Sequence, residues 1–287
     1  MNILVTGCNG QLGNEIQLLE NDRPQHRFFN TDVAQLDITD REAVDSYVRD
    51  NAIDGIINCA AYTAVDKAED NEALCTLLNA TAPGYLAEAV EKRGGWMIQV
   101  STDYVFDGTH HTPYTESDTP SPDSMYGRTK LAGEKAVAEC CSRSMVVRTA
   151  WLYSTFGNNF VKTMLRLGRE REELGVVADQ IGTPTYAADL AAAIMKAVDK
   201  EDGIVPGIYH FSNEGVTSWY DFTKAIHRIA GITSCRVRPL HTSEYPAKAN
   251  RPAYSVLDKT KIKTTYAIDI PHWEESLVRC IAALEKQ

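Results

Sequence analysis

The sequence predicts an α/β chain built on a doubly wound parallel sheet, and three observations carry that prediction. Short β-rich runs alternate with longer stretches of helical apolar spacing through the first 150 residues. Three glycines, Gly7, Gly10 and Gly13, fall between the first strand-like run and the first helical one. A Tyr126/Lys130 pair at one-turn helical spacing follows a run that ends in Ser101 and Thr102.

Taken in order, Asn2–Thr6 is β-rich, 11–19 has helical spacing and 28–31 is a short second strand. Residues 40–49 form a helix opened by Thr39 or Asp40 as its cap, with Glu42 in its first turn. Gly55–Asn58 is a strand. Residues 71–92 are helical, with Pro83 and Gly84 kinking or dividing the run. A strand at 96–101, a helix at Met125–Cys140 and a strand at 145–149 complete the alternation. Beyond it the pattern loosens: helices at 159–172, 185–198, 219–230 and 273–285, and a strand at 207–212. This division predicts a dinucleotide-binding domain over 1–150, with 185–213 returning to it. A smaller substrate-binding lobe is expected from 151–184 and 214–287.

The chain has 287 residues, 44% hydrophobic and 24% charged, enough to bury a core without disulfides or metals. Its formal net charge of −10 argues against general binding of nucleic acid or anionic lipid. Seven cysteines, with no Cys-x-x-Cys pair, favour neither a disulfide framework nor a zinc site. Free thiols point to a reducing compartment. The N-terminal run lacks the features of a signal peptide, and no apolar run approaches the roughly 18 residues of a membrane span. The expectation is a cytoplasmic protein with no membrane partner.

Glycines between a first strand and a first helix have mechanical uses: a tight turn, close approach of a pyrophosphate, and close packing of helix on strand. The helix N-terminus then offers free N–H groups to phosphate. Gly7, Gly10, Gln11, Leu12 and Gly13 are therefore candidate cofactor contacts in a Rossmann-like fold. Asp32, placed after the second strand, is suited to accept from adenosine ribose hydroxyls and would repel a 2′-phosphate, favouring NADH. A solvated strand-end Asp is the alternative. Asp37 and Ile38 are placed to flank the adenine. Ala60 and Ala61 end the third strand with little bulk, and Tyr62 follows as a further candidate.

Tyr126 and Lys130 face the same way on a helix, because four residues turn it by about 400°. Reduction of a carbonyl needs a proton donor, and a lysine cation one turn away is expected to bring the phenol toward the working range. Thr102, at the C-terminal end of its strand, is placed to hydrogen-bond a carbonyl, with Ser101 as second choice.

These residues carry a resemblance. The chain is similar, nearly end to end, to the dTDP-4-dehydrorhamnose reductase family of extended short-chain dehydrogenases. The match includes the glycine loop, 58–69, 101–106, 126–135, Arg148-Thr-Ala-Trp-Leu-Tyr153, Gly157-Asn-Asn-Phe160, 179–185 and Arg251-Pro. The resemblance implies NADPH- or NADH-dependent reduction of the C4 keto group of a nucleotide-linked sugar. Tyr126 would be the proton donor, Lys130 its tuner and ribose ligand, and Thr102 the polarising group. It further implies Asp103, Tyr104 and Trp151 in the sugar site, and Arg251 at the diphosphate. A homodimer is a candidate assembly. Some relatives carry acidic residues for a metal. Here the matching run reads Thr185-Tyr-Ala-Ala-Asp189, so no metal is expected and Glu15 is read as a solvated helix residue. Arg148 has a second reading, as structural partner of a carboxylate, and Trp151 as plain core.

Two other readings stay open. An epimerase of the same superfamily shares the Thr, Tyr and Lys but holds its NAD tightly. A non-catalytic regulatory subunit keeps the dinucleotide pocket without turnover. A dehydratase would want an Asp-Glu pair after the threonine, where this chain has Asp103-Tyr104.

Overall fold

The structure is a computed structural model that describes residues 1–286. Its centre is a six-stranded parallel sheet formed by β1 (Asn2–Thr6), β2 (Arg27–Thr31), β3 (Gly55–Asn58), β4 (Trp96–Thr102), β5 (Ser144–Thr149) and β10 (Gly207–His210), in the spatial order β10-β5-β4-β3-β1-β2. Strand alternation sorts the core onto two faces. Ile3, Val5, Ile57, Ile98 and Val147 point to the side covered by α1 (Gln11–Leu18) and α8 (Ala187–Val198). Leu4, Ile56 and Met97 point to the side covered by α2 (Arg41–Asp50), α5 (Ala82–Glu91) and α6 (Met125–Cys140). Asp40 caps α2, its carboxylate accepting from the Glu42 and Ala43 amides at 3.0 Å each.

A second core is built from α7 (Phe160–Glu170), β7 (Glu173–Val177), α9 (Trp219–Ile229), β12 (Arg236–Leu240) and α11 (Trp273–Leu284), with Phe222, Ile226 and Leu277 at its centre. Short paired strands tie it to the rest. β6 (Leu152–Tyr153) pairs with β9 (Thr185–Tyr186), and β8 (Ile181–Gly182) pairs with β11 (Thr217–Ser218). Short helices α3 (Val65–Ala68) and α4 (Glu72–Thr76) precede α5, and α10 (Thr260–Tyr266) precedes α11.

The run expected as a helix kinked at Pro83 is continuous. It passes from α4 through a π turn at Leu77–Thr81 into α5. Proline lacks the N–H that would bond the Asn79 carbonyl and its ring crowds that carbonyl, so the wider turn absorbs the misfit. The helix expected over 159–172 stops at Glu170, and β7 begins at Glu173. All seven cysteines are free. Among the described residues, no helix is long and apolar enough to cross a membrane, and no cluster of His, Cys, Asp and Glu is arranged to hold a metal.

Glu15 is not the solvated residue the sequence indicated. It is 4% exposed, and its carboxyl accepts from the Ser154 hydroxyl at 2.6 Å. Burial pushes its pKa up, against the Ser154 hydrogen bond. Ser154, far along the chain, folds back over α1 and covers a helix face that looks polar and open in sequence.

Candidate active site

A cavity of about 720 Å³ opens at the C-terminal ends of the strands. One end is the glycine loop. Gly7 has φ +64°, and a side chain there would lie 2.8 Å from the Ala60 backbone. The Gly10 amide closes the turn on the Gly7 carbonyl at 3.0 Å. At the start of α1, Gly10 provides no side-chain cap and the first turn holds no acidic residue. Its free N–H groups and partial positive charge suit an anion. Gly7, Gly10, Gln11, Leu12 and Gly13 all line the cavity, as do Asp32, Asp37, Ile38, Ala60 and Ala61.

Asp32 is held in place by the Val33 amide at 2.8 Å and the Asn9 amide at 3.2 Å, so its carboxylate sits beside the glycine loop. The Asp37 carboxylate is already engaged by the Thr39 amide and hydroxyl, whose hydrogen bonds lower its pKa. Tyr62 is not among the lining residues. The Asn79 side chain grips its backbone on both sides, accepting from the Tyr62 amide at 2.8 Å and donating to its carbonyl at 3.1 Å.

At the other end stand the groups suited to chemistry. Thr102 is the last residue of β4, and Tyr126 and Lys130 lie in the first half of α6. Ser124 caps this helix, its hydroxyl accepting from the Gly127 amide at 3.1 Å. Gly133 lets the helix lie against the π turn: a side chain there would stand 2.0 Å from the Asn79 carbonyl oxygen. The Asn79 amide also donates to Thr129 at 3.2 Å, beside Cys75. Asn79 thus joins the π turn, the strand-end loop and α6. Sequence reasoning missed it, although Pro83 four residues on, which has no N–H for the Asn79 carbonyl, is a usable signal.

The Tyr126 phenol and the Thr102 hydroxyl line the same end of the cavity. Thr102 in turn donates to Asp103 at 3.0 Å and accepts from the Tyr104 amide at 3.2 Å. The Tyr104 ring meets Tyr126 edge-on at 5.5 Å. The Lys130 ammonium donates to the Val100 carbonyl at 2.7 Å.

Burial raises the Tyr126 pKa above the usual phenol range, opposed by the Thr102 hydroxyl. The sequence expectation that Lys130 draws the phenol down is therefore corrected, because desolvation dominates. Burial also pushes Lys130 itself down to about 8, opposed chiefly by the negative charge of Glu134. Asp103 is lifted to about 6 by burial, against hydrogen bonds from Ser255 and Thr102. The site thus holds a protonated phenol, a lysine cation at neutral pH, and the Thr102 hydroxyl bonded to a buried carboxyl. That set can donate a proton to an oxygen where negative charge develops.

Trp151 lines the same cavity with φ +48°, a left-handed backbone that a bulky residue adopts only under constraint. Its indole stacks on Trp219 at 3.5 Å, so it is more than anonymous core. Asp103 and Tyr104 also line the cavity. Arg251 does not. Its guanidinium is paired bidentately with Asp66, at 3.1 and 2.7 Å, and holds that carboxyl down at about 2. Arg148 takes its structural reading, since its partner is the buried Glu134. The loop after β6, through Gly157, Asn158 and Asn159, adds lining that sequence reasoning did not assign. Asn159 donates to Gln11 at 3.0 Å, which joins that loop to α1.

A parallel sheet of this order, with a glycine turn at one end of the cleft and a Thr–Tyr–Lys set at the other, defines an NAD(P)-dependent oxidoreductase of Rossmann-like architecture. The RmlD substrate binding domain family model matches residues 1–286, and the chain belongs to that family. It is 40% identical over 283 residues to a dTDP-4-dehydrorhamnose reductase of Aggregatibacter actinomycetemcomitans, covering 96% of each chain. Against the Escherichia coli enzyme of that name it is 41% identical over 297 residues, covering 99% of this chain and 98% of that one. Among solved structures, a Clostridium acetobutylicum dTDP-4-dehydrorhamnose reductase superposes with a TM-score of 0.94 at 44% identity, covering 99% of this chain and 100% of that one. A Bacillus anthracis enzyme of the same name, in complex with NADP, gives 0.93 at 41% identity, covering 98% and 99%. A Thermus thermophilus UDP-glucose 4-epimerase shares the fold at 18% identity and a TM-score of 0.83.

Proposed function

We propose that this chain reduces the C4 keto group of dTDP-4-dehydro-L-rhamnose to give dTDP-L-rhamnose, with NADPH or NADH as reductant. The observation that carries the reading is a single cavity lined by Thr102, Tyr126 and Lys130 that also contains the uncapped N-terminus of α1.

The residues present fit a dinucleotide. The α1 N-terminus and the Gly7 turn would take the pyrophosphate. Asp32 would take the adenosine ribose, with Asp37 and Ile38 beside the adenine. Lys130 would take the nicotinamide ribose. The dinucleotide, when bound, supplies a hydride. Tyr126 donates its proton to the former carbonyl oxygen, and because burial keeps the phenol protonated, the donor form is present throughout the neutral range. Thr102 orients that oxygen, and Asp103 fixes the Thr102 hydroxyl. Trp151, held on Trp219, gives the sugar a flat wall to stack on. Tyr104, packed on Tyr126, restricts the phenol to one position. Arg251, paired with Asp66, would take the diphosphate in the role the resemblance implies only by exchanging that partner.

In this reading 1–150 and 185–213 form the cofactor lobe, and 151–184 with 214–287 the sugar lobe. The free thiols support a cytoplasmic setting. A homodimer is the proposed assembly, and light scattering distinguishes 31.8 kDa from twice that mass.

The test is loss of absorbance at the reduced nicotinamide band with purified protein, NADPH or NADH, and dTDP-4-dehydro-L-rhamnose. Oxidation with dTDP-L-rhamnose as product supports the reading. Cofactor binding without oxidation overturns it in favour of a binding subunit. Protein that purifies with NAD bound and interconverts sugars without added reductant overturns it in favour of an epimerase.

A further inference from the structure

Two consecutive residues of β4 each hold one residue of α6, and the next, Thr102, lines the cavity with Tyr126. The Val100 carbonyl accepts from Lys130 at 2.7 Å, and the Ser101 hydroxyl donates to Glu134 Oε1 at 2.5 Å. Tyr126, Lys130 and Glu134 stand four residues apart, so they form a single stripe of the helix. Glu134 reaches one strand further. Arg148 of β5 donates from Nε to Oε1 at 2.9 Å and from Nη2 to Oε2 at 2.6 Å. Ser101 and Arg148 are direct neighbours across the β4–β5 ladder. Glu134 and Arg148 are 3% and 1% exposed, so the pair is shielded from bulk solvent.

A buried ion pair is a poor device for stability alone, because well-packed apolar residues of the same volume serve as well or better. It does fix geometry and place charge. Glu134 lies one turn beyond Lys130, and its charge is the foremost one favouring the Lys130 cation. The other titratable groups around Lys130 are Tyr126 one turn back, the Cys59 thiol after β3 and the Cys75 thiol of α4. Burial pushes the Cys59 thiol up to about 12, so it is uncharged at neutral pH.

We propose that Glu134 is a positioning residue of the active site: with Ser101 and Arg148 it locks the Tyr126–Lys130 stripe of α6 to the Thr102 end of β4, and it sets the negative charge that Lys130 faces. The proposal rests on the roles given to Tyr126 and Lys130 above. It separates this ion pair from an ordinary core contact by a signed electrical effect.

The experiment measures NADH binding by nicotinamide fluorescence from pH 6 to 10, without any sugar, for the intact protein and three variants, and separately kcat with the keto sugar for Ser101→Ala. In the unaltered protein, binding weakens as Lys130 loses its proton, near pH 8. Glu134→Gln keeps the size and removes the charge, and moves that limb down by about one pH unit, a tenfold change in proton affinity. Arg148→Met leaves the Glu134 charge unopposed and moves the limb up. Ser101→Ala leaves both charges, so the limb stays while kcat falls several-fold. Limbs unmoved in both charge variants, or moved in the same direction, overturn the proposal. If the charge variants do not fold, Ser101→Ala decides, and an unchanged kcat overturns it. Since the binding readout uses no sugar, a wrong substrate leaves it intact. Absence of NADH and NADPH binding in the unaltered protein overturns the underlying reading instead.

Discussion

Replacing Tyr126 by Phe removes one oxygen and leaves the ring. The ring that remains still meets Tyr104 edge-on, as Tyr126 does at 5.5 Å, so the packing survives. Thr102 keeps its bonds to Asp103 and to the Tyr104 amide, so no buried group is orphaned. Loss of one buried hydroxyl costs about 1 kcal/mol, which lowers Tm by about 2–4 °C at most for a chain of this size. The loss in catalysis is far larger. A positioned general acid contributes about 10²–10⁴-fold, or about 3–5 kcal/mol of barrier. The expected result is NADH affinity within about threefold of the parent, with kcat down by at least about a hundredfold. Cofactor titration by fluorescence and steady-state oxidation of NADH check the two halves separately. The parent also has an expected alkaline limit. Lys130 is depressed to about 8, so its cation is lost as pH rises through that value, and turnover falls with it while the phenol is still protonated. Near-normal turnover in Tyr126→Phe, with cofactor bound, would refute the proton-donor role and the chain of reasoning behind it.

Three other outcomes are expected. Asp103→Asn raises Tm at pH 8 and leaves it nearly unchanged at pH 3.5. Burial lifts the Asp103 pKa from 3.8 to about 6, so the folded state loses up to about 3 kcal/mol as pH rises between those values. A melting series across pH checks this, and equal shifts at both ends would sink it. Gly133→Ala forces a methyl group to within 2.0 Å of the Asn79 carbonyl, and destabilises by about 1–3 kcal/mol in urea unfolding, with kcat reduced as α6 moves off the π turn. Asp32→Ala weakens NADH binding more than NADPH binding, since it removes a ribose acceptor from one and a repelling charge from the other. Equal changes in the two dissociation constants would remove Asp32 from the ribose.

The parts of this molecule legible in sequence are those whose cause is local. The glycine turn and the Tyr126/Lys130 stripe depend on spacing within one or two elements, and the cavity contains them all. The alternation of Ile3 and Val5 with Leu4 is enough to show a strand buried on both faces. What escaped depends on partners far apart in the chain. Glu15 looks like a helix-surface acid until Ser154 is folded over it. The Arg251 partner, Asp66, lies too far away in the chain for any spacing to show the pair. Tyr62 turns out to be gripped through its backbone, which no side-chain pattern encodes. The Tyr126 pKa eludes the sequence for a related reason: charge spacing is visible there, whereas the depth of burial that overrides it is not.

The position of β10 bears on how the protein is made. It completes the sheet beside β5, yet it emerges from the ribosome only after α7, β7 and α8. Until residue 210 has been synthesised, β5 is a raw edge whose unpaired amides and carbonyls invite any passing strand. A chain cut near residue 150 therefore keeps that edge open, because the strand that closes it lies in the second half of the sequence.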